Sequence, residues 1–87
     1  MYYVYVLCNS SSKEMYVGFT SDLKARIRNH NLGLNRSTKR KEGFWNLIYY
    51  EAFKSESDAR KREKRLKQHG RARQELFKRL AESIKEC

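Results

Sequence analysis

The run formed by residues 2–8 constrains the fold more than any other segment of the chain. Its residues are aromatic or aliphatic apart from one cysteine, and it contains no glycine, proline or charged side chain. A run of this kind is typical of a buried β-strand. A turn-forming cluster follows at residues 9–13, and strand character returns at residues 15–20. We therefore predict an antiparallel hairpin whose first strand lies at the centre of a sheet.

A helix is predicted directly after the hairpin. Thr20 or Ser21 can cap its N-terminus, and Asp22 would lie in its first turn, where an acidic side chain favours the helix dipole. The helix would run through residue 29 or 30, because Gly33 is a helix-ending residue.

The rest of the chain alternates between loop, strand and helix signals. Residues 34–43 are polar and basic without apolar periodicity, which indicates an exposed loop that can contact phosphate. Residues 44–53 are rich in aromatic and aliphatic side chains and predict the third strand. A helix from residue 55 to about 69 would be closed by Gly70, and a final helix would span residue 71 to about 85.

These elements predict one domain of the α/β (α+β) class over residues 1–87. It would contain a three-stranded antiparallel sheet flanked by helices, in the order ββαβαα. Eighty-seven residues suffice for one modest core but not for separate catalytic and recognition domains. Any recognition must therefore be performed by the single domain.

The charge of the chain indicates a polyanionic partner. The net charge is +10, and residues 54–79 alone hold eleven basic and four acidic side chains, a net charge of +7. Such a field favours nucleic acid or an anionic membrane surface. The longest apolar run, residues 1–8, is far shorter than the roughly 18 residues that a membrane span requires, and it lacks the features of a secretory signal. We therefore expect a nucleic-acid partner and no membrane.

The two cysteines, Cys8 and Cys87, have neither metal-ligand spacing nor the pattern of a disulfide framework. This usage predicts a reduced, cytoplasmic protein.

Two tyrosines occupy the predicted hairpin. Tyr5 and Tyr16 would lie on the same face if the two strands pair in register, and Gly18 beside them would let another group approach the backbone closely. Their hydroxyls could then act together in a site. Alternatively, both are ordinary half-buried tyrosines of a sheet.

Three further polar residues lie at positions that suit chemistry. Arg26 and His30 are one helical turn apart, so they share a helix side and could brace a phosphate and relay a proton. They could equally belong to a solvated basic face. Glu63 interrupts an apolar helical stripe, where it could hold a divalent cation or form a salt bridge.

At these residues the chain resembles the GIY-YIG nuclease superfamily, in particular its small stand-alone bacterial members. The resemblance covers residues 2–80, and its specificity comes from an ordered set of motifs rather than from any one tripeptide. The motifs are, in chain order, Tyr3-Val4-Tyr5, Tyr16-Val17-Gly18, residues 20–26 followed by His30-Asn31, and residues 59–67.

The chain departs from the family pattern at two points. Tyr3 replaces the first glycine of the family name. Many family members also carry an asparagine after the glutamate, whereas no asparagine follows Asn46 here. Gln68 and Gln74 are the two amides that could take its place.

The resemblance implies a phosphodiesterase that depends on Mg²⁺ or Mn²⁺. It implies that Glu63 holds the metal and that Arg26 stabilises the extra charge on the pentacovalent phosphate. Tyr5 would be the general base for the attacking water, helped by His30, and Tyr16 would orient water or phosphate. Because a free tyrosine has a pKa of about 10, the base role needs nearby cations or a proton relay.

The function expected from these features is DNA endonuclease activity with low intrinsic sequence specificity. A non-catalytic nucleic-acid-binding protein with the same fold is the alternative, an RNA nuclease is a third reading, and a protein partner could supply specificity. The enzyme would be favoured if five polar residues converge on one site, namely Tyr5, Tyr16, Arg26, His30 and Glu63. The residues expected to contact nucleic acid are Arg36, Lys39, Arg40, Lys41, Arg60, Lys64 and Lys67.

Overall fold

The computed structural model describes residues 1–35, 38 and 42–87. Three strands and four helices form in this part of the chain. They are β1 (Tyr2–Asn9), β2 (Met15–Thr20), α1 (Leu23–Asn31), β3 (Trp45–Phe53), α2 (Glu56–Gln68), α3 (Gly70–Arg79) and α4 (Ala81–Lys85). The expected order ββαβαα is confirmed, with the last predicted helix divided into α3 and the short α4.

The sheet has the strand order β2-β1-β3, and both strand pairs are antiparallel. The predicted central position of the first strand is therefore confirmed. Along β1, the residues from Val4 to Asn9 are all buried, which explains why this segment contains no charged side chain. An irregularity between Val6 and Leu7 shifts the register with β3. Irregularities of this kind typically bend a strand and increase its local twist.

The two faces of the sheet are covered by different helices. Val4 and Val6 point to one face, where they pack with the buried Ala59 and Leu66 of α2 and with side chains of α3. Tyr5 and its face neighbours point to the other face, where Leu23 and Ile27 of α1 cover them. Alternation along β1 thus places apolar valines in one core and the candidate tyrosine beneath α1.

The N-terminus of α1 differs from the sequence-based expectation. Asp22 is the capping residue, because its carboxylate accepts a hydrogen bond from the Ala25 backbone N–H at 3.1 Å. Thr20 instead accepts a hydrogen bond from the Asp22 backbone N–H at 3.0 Å, which stabilises the turn before the helix. The helix also continues to Asn31 before it ends.

The helix boundaries near the C-terminus differ as well. Ser55 caps α2 as expected and accepts a hydrogen bond from the Asp58 backbone N–H. Gly70, however, begins α3 instead of closing α2, and His69 is the junction residue between the two helices. Leu80 is buried between α3 and α4, where the backbone leaves the α-helical conformation.

The cysteines form a disulfide bond, so the expectation that both stay reduced is wrong. Cys8 in the buried centre of the sheet is joined to Cys87 at the end of the chain, with their Cα atoms 6.0 Å apart. The Lys13 ammonium also donates a hydrogen bond to the Cys87 carbonyl oxygen at 2.7 Å. The bond ties the C-terminal segment to the sheet, and it removes the argument that linked the cysteines to a cytoplasmic location.

No helix within the described ranges is long and apolar enough to cross a membrane.

Candidate active site

The site begins with a hydrogen bond buried between the sheet and α1. The Tyr5 hydroxyl lies 2.8 Å from His30 Nε2. Only 1% of Tyr5 and 2% of His30 are exposed. Tyr5 reaches this position because it points to the face of β1 that α1 covers, and His30 lies in the last turn of α1. The histidine is therefore part of the interior and not of a solvated basic face.

Thr38 extends this pair into a chain of three side chains. Its hydroxyl oxygen lies 2.8 Å from His30 Nδ1, so both ring nitrogens have partners. Thr38 is 2% exposed, and its carbonyl oxygen accepts a hydrogen bond from the Trp45 indole N–H at 3.3 Å. In one tautomer Tyr5 donates to His30 Nε2 and His30 Nδ1 donates to Thr38. In the other, Thr38 donates to His30 Nδ1 and His30 Nε2 donates to Tyr5, so these three side chains can pass a proton in either direction.

Burial keeps Tyr5 and His30 neutral at pH 7. Desolvation, together with the nearby Arg26 guanidinium, lowers the pKa of His30 to about 4. Desolvation raises the pKa of Tyr5 above its ordinary value, and the neighbouring Tyr16 acts in the same direction. Arg26 lowers the Tyr5 pKa as expected, but burial outweighs it. A base role for Tyr5 therefore requires its own proton to pass to His30 in the same step.

The hairpin register brings the second tyrosine to the same face. Tyr5 pairs with Gly18, and Tyr16 pairs with Leu7, so both tyrosines and Gly18 lie on one side of the sheet. The Tyr16 ring meets His30 edge-on, with ring centroids 4.9 Å apart. The two tyrosine rings are 6.3 Å apart. The shared face predicted from the sequence is confirmed.

Gly18 is needed because the Tyr5 side chain lies directly across its backbone. A Cβ atom at Gly18 would lie 2.8 Å from Tyr5 Cε1 and closer still to the ring carbon and oxygen of the phenol. The group that approaches this bare backbone is therefore Tyr5 itself. Gly18 fixes the height of the phenol above the sheet and so its distance from His30.

Arg26 supplies positive charge one turn before His30. The guanidinium is close enough to lower the pKa of both Tyr5 and His30. Within the part of the chain that the structure describes, it forms neither a hydrogen bond nor an ion pair with another side chain. Its donors are thus available for a phosphate, which arginine can bind through two parallel hydrogen bonds.

Glu63 borders the same site from α2. Its charge is one cause of the raised pKa of Tyr5, after burial and the neighbouring Tyr16. Its carboxylate also forms a salt bridge with Lys67 at 3.1 Å, and 21% of the Glu63 side chain is exposed. The Lys67 ammonium lies 5.4 Å from the centre of the Tyr16 ring. Both readings of Glu63 therefore have structural support, since it borders the site and is ion-paired.

The residues present fit a hard divalent cation such as Mg²⁺ or Mn²⁺, which prefers carboxylate and water oxygens. The described residues contain no group of three or more His, Cys, Asp or Glu side chains that could hold a metal. Mg²⁺ keeps several water molecules and is commonly bound through one or two carboxylates together with phosphate oxygens. The Glu63 carboxylate, with oxygen atoms of a bound phosphate, is compatible with this coordination.

The other expected contacts are only partly described. Arg36, Lys39, Arg40 and Lys41 lie outside the described residues. Arg60 is paired with Glu56 at 2.7 Å and lies 4.2 Å from the centre of the Phe19 ring. Lys64 is exposed on α2.

The two amides that could replace the family asparagine do not reach the site. Gln68 and Gln74 are both exposed. In the described part of the chain, neither forms a hydrogen bond with the tyrosines, the histidine or Glu63. No residue is assigned to the asparagine role.

Thr38 is the member of the site that the sequence does not reveal. It lies in a polar segment with several other hydrogen-bonding residues, and nothing in its local pattern marks it as buried. Its role depends on a contact with a histidine eight positions earlier.

The family model for the GIY-YIG catalytic domain matches residues 1–76, which include all five candidate catalytic residues. A UPF0213 protein of Halobacterium salinarum is 37% identical over 77 residues, covering 88% of this chain and 99% of that protein. A UPF0213 protein of Clostridium perfringens is 38% identical over 87 residues, covering 99% of this chain and 90% of that protein.

A solved structure also matches. The solution NMR structure of a UPF0213 protein from Bacillus halodurans has a TM-score of 0.55 and 32% sequence identity, and the match covers 92% of this chain and 85% of that one. Both the family model and the solved structure match most of this chain.

Proposed function

Because the chain belongs to the GIY-YIG family, we propose that it is a metal-dependent endonuclease that hydrolyses phosphodiester bonds of DNA. The observation that carries this proposal is the convergence of the five polar residues. Tyr5, Tyr16 and His30 are in mutual contact, and Arg26 lies one helical turn before His30. Glu63 is paired with Lys67, whose ammonium lies 5.4 Å from the centre of the Tyr16 ring. A protein that only binds nucleic acid does not need a carboxylate beside two tyrosines and a buried proton chain.

The proposed reaction is attack of water on a phosphate of the DNA backbone. A bond forms between the water oxygen and phosphorus, and the bond from phosphorus to the departing sugar oxygen breaks. The proton of the water passes to the Tyr5 oxygen while the phenol proton passes to His30 Nε2, which the 2.8 Å contact permits. Solvent protonates the departing oxygen, and His30, in which burial disfavours the charged form by lowering its pKa to about 4, then returns its proton to solvent.

Each remaining residue stabilises or orients a part of this reaction. The Arg26 guanidinium binds the phosphate oxygens on which charge accumulates in the transition state. Tyr16 orients the water or the phosphate next to His30. Glu63 would hold Mg²⁺ or Mn²⁺, which would supply Lewis-acid stabilisation of the phosphate.

The charge distribution supports binding to the DNA backbone with low sequence specificity. The net charge of +7 in residues 54–79 favours phosphate contacts, which carry no sequence information. With roughly four to six phosphates contacted, the logarithm of affinity should fall with the logarithm of salt concentration with a slope of about −4 to −5. We propose that a protein partner supplies further specificity. A cytoplasmic location is proposed from the DNA substrate alone. The disulfide bond does not support it, because such bonds are rare in the cytoplasm.

Binding without catalysis is the second candidate function, and one contact favours it. The salt bridge between Glu63 and Lys67 satisfies the carboxylate without a metal ion. A protein that had lost catalysis would retain this pair and its basic surface. RNA as the substrate is a further alternative that the same assay tests.

The test is cleavage of supercoiled plasmid and of labelled DNA and RNA oligonucleotides with Mg²⁺, with Mn²⁺ and with chelator. We expect DNA cleavage that requires a metal ion. Arg26→Lys should keep most of the DNA affinity but reduce cleavage at least about tenfold, because lysine lacks the planar two-donor fork. Arg28→Lys, an exposed position on the same helix, is the matched control and should cleave normally.

Two outcomes would contradict the proposal. If the wild type cleaves no form of DNA or RNA with either metal, the binding function replaces the enzyme. Equal losses of affinity and rate in Arg26→Lys would make Arg26 an ordinary phosphate contact.

A further inference from the structure

A second basic site lies where α2 meets α3, away from the tyrosines. It is a cavity of about 430 Å³ that is open to solvent. Four arginines line it, together with the junction residue His69. The arginines are Arg62, Arg65, Arg71 and Arg79.

Two of these arginines have charge to offer a ligand. Arg62 is bound to Glu51 through hydrogen bonds of 2.9 and 3.0 Å, and Arg71 is 3.5 Å from Glu75. Arg65 and Arg79 form no ion pair with any other residue that the structure describes. The cavity therefore presents two uncompensated guanidinium groups, and it retains a positive charge after its internal pairs are counted.

The cavity is held open by a rigid junction. Arg73 donates hydrogen bonds from one nitrogen to the carbonyl oxygens of Leu66 at 3.2 Å and Lys67 at 3.3 Å, which fixes the start of α3 to the end of α2. Leu76 forms part of the cavity wall and belongs to the buried core. This junction joins the two helices, so Arg65 on one and Arg79 on the other line the same cavity.

Arg65, the α2 arginine of the cavity without an ion-pair partner, lies on the opposite side of that helix from Glu63 and Lys67. Arg65 is two positions from Glu63 and two positions from Lys67, and two positions correspond to about 200° around an α-helix. With side chains an α-helix is about 10 to 12 Å across. A phosphate that contacts Glu63 therefore cannot also occupy the cavity.

We propose that this cavity binds the phosphate backbone of a second nucleic-acid segment, separate from the one at the active site. The inference rests on the DNA binding of the proposed function and not on its cleavage step, because it adds a second stretch of DNA to the one at the active site. Arginines favour phosphate, which they bind through paired hydrogen bonds. The described lining contains Ala72 and Leu76 as its only apolar side chains and the His69 imidazole as its only aromatic ring, so it offers a nucleotide base little stacking surface beside four guanidinium groups. The backbone of a nucleic acid is thus a better fit than a free nucleotide.

The proposal predicts that one protein molecule can hold two DNA duplexes. The test immobilises one duplex on beads and measures capture of a second, fluorescent duplex of different sequence, in chelator so that no cleavage occurs. Light scattering of the protein in the same buffer establishes its oligomeric state. The test variant is Arg65→Gln/Arg79→Gln, and the control is Lys61→Gln/Lys78→Gln, which removes equal charge from exposed positions of the same helices.

We expect the wild type and the control variant to capture the second duplex. The test variant should lose capture at least about tenfold, and the salt slope of capture should become about 2 smaller in magnitude because two phosphate contacts are removed. Its cleavage of linear DNA at saturating protein should stay close to that of the wild type, because neither substitution touches the tyrosine site.

Several results would overturn the proposal. Unchanged capture by a folded test variant would show that bridging comes from another surface or from protein dimers. Equal loss in the control would show that only total charge matters. Binding of inorganic phosphate can be measured by calorimetry for the wild type and the test variant. If the test variant loses phosphate binding but captures the second duplex normally, the cavity is a site for free phosphate. Because capture is measured without cleavage, a wild type that bridges but never cleaves would refute the nuclease and leave this inference standing.

Discussion

Replacement of Gly18 by alanine tests the geometry of the site most sharply. The added Cβ would lie 2.8 Å from Tyr5 Cε1 and closer to two other atoms of the phenol, so the ring must move. Tyr5 has no free space to move into, because it is 1% exposed and its hydroxyl is held by His30. The substitution therefore forces either a displaced sheet or a broken hydrogen bond.

The expected cost follows from these two effects. Overpacking of a filled core costs about 1 to 3 kcal/mol. Loss of a buried hydrogen-bond partner for His30 costs about 1 to 3 kcal/mol. We expect Gly18→Ala to lower the free energy of unfolding by about 1 to 3 kcal/mol through one of these effects, and by up to about 6 kcal/mol through both. Where the protein still folds, cleavage should fall as well.

Urea unfolding followed by fluorescence measures this change. The chain has one tryptophan, Trp45, which is buried next to the site and reports its loss. The matched control is Gly70→Ala, where the nearest atom to the new Cβ is Arg73 Nη2 at 3.7 Å. The control should be unchanged or more stable by up to about 1 kcal/mol. A Gly18→Ala protein within about 0.5 kcal/mol of the wild type would refute the packing of Tyr5 over Gly18.

Three further predictions concern the histidine chain and the disulfide. Thr38→Val should lower the free energy of unfolding by about 1 to 3 kcal/mol, because it leaves His30 Nδ1 without its partner; an unchanged urea midpoint would contradict this role. The folded-state pKa of His30 is about 4, below the ordinary 6.5, so its contribution to stability is present above about pH 6.5 and is lost as the pH falls towards 4. That contribution is at most about 3 kcal/mol; an NMR titration of His30 with a midpoint near 6.5 would disprove it. Cys87→Ser opens a loop with a sequence separation of 79 and should lower the free energy of unfolding by about 4 kcal/mol. Detection of two free thiols in the unreduced wild type would refute the bond.

The strands could be predicted from the sequence because each has its own local signal. Val4 and Val6 alternate with Tyr5 and Leu7 on a run without breakers, and this pattern already assigns the two faces. The shared face of Tyr5 and Tyr16 follows from antiparallel pairing across a short turn. Local pattern and tertiary structure agree at these positions, so sequence reasoning succeeds there.

The helix ends could not be predicted with the same success because tertiary contacts decide them. Glycine commonly ends a helix, but Gly70 is the first residue of α3. Arg73 donates hydrogen bonds to the carbonyl oxygens of Leu66 and Lys67, and these bonds hold α3 directly against the end of α2. Leu80 belongs to an amphipathic stripe, but its burial in the core coincides with the end of α3.

The parts of the site missed by the sequence depend on distant contacts. No local sequence signal indicates the role of Thr38, because that role depends on hydrogen bonds with His30 and Trp45. The pairing of Cys8 with Cys87 joins the two ends of the sequence, which no spacing rule could indicate for two cysteines. The sequence indicates that a base role for Tyr5 needs nearby cations or a proton relay, but it does not show the depth of burial that raises the pKa of Tyr5 despite Arg26.

Cleavage by Glu63→Gln is the measurement that tests the nuclease proposal most directly. Glutamine keeps the size of the side chain but removes the charge that would hold the cation, so metal binding and rate should both fall. Glu82→Gln, a strongly exposed position on α4, is the control. With Mg²⁺ or Mn²⁺ in excess, we predict at least about a hundredfold loss of cleavage for Glu63→Gln, unchanged or tighter DNA binding in chelator, and normal cleavage for the control. Cleavage at the wild-type rate by a folded Glu63→Gln protein would contradict the role of Glu63 as the metal ligand and the mechanism built on it.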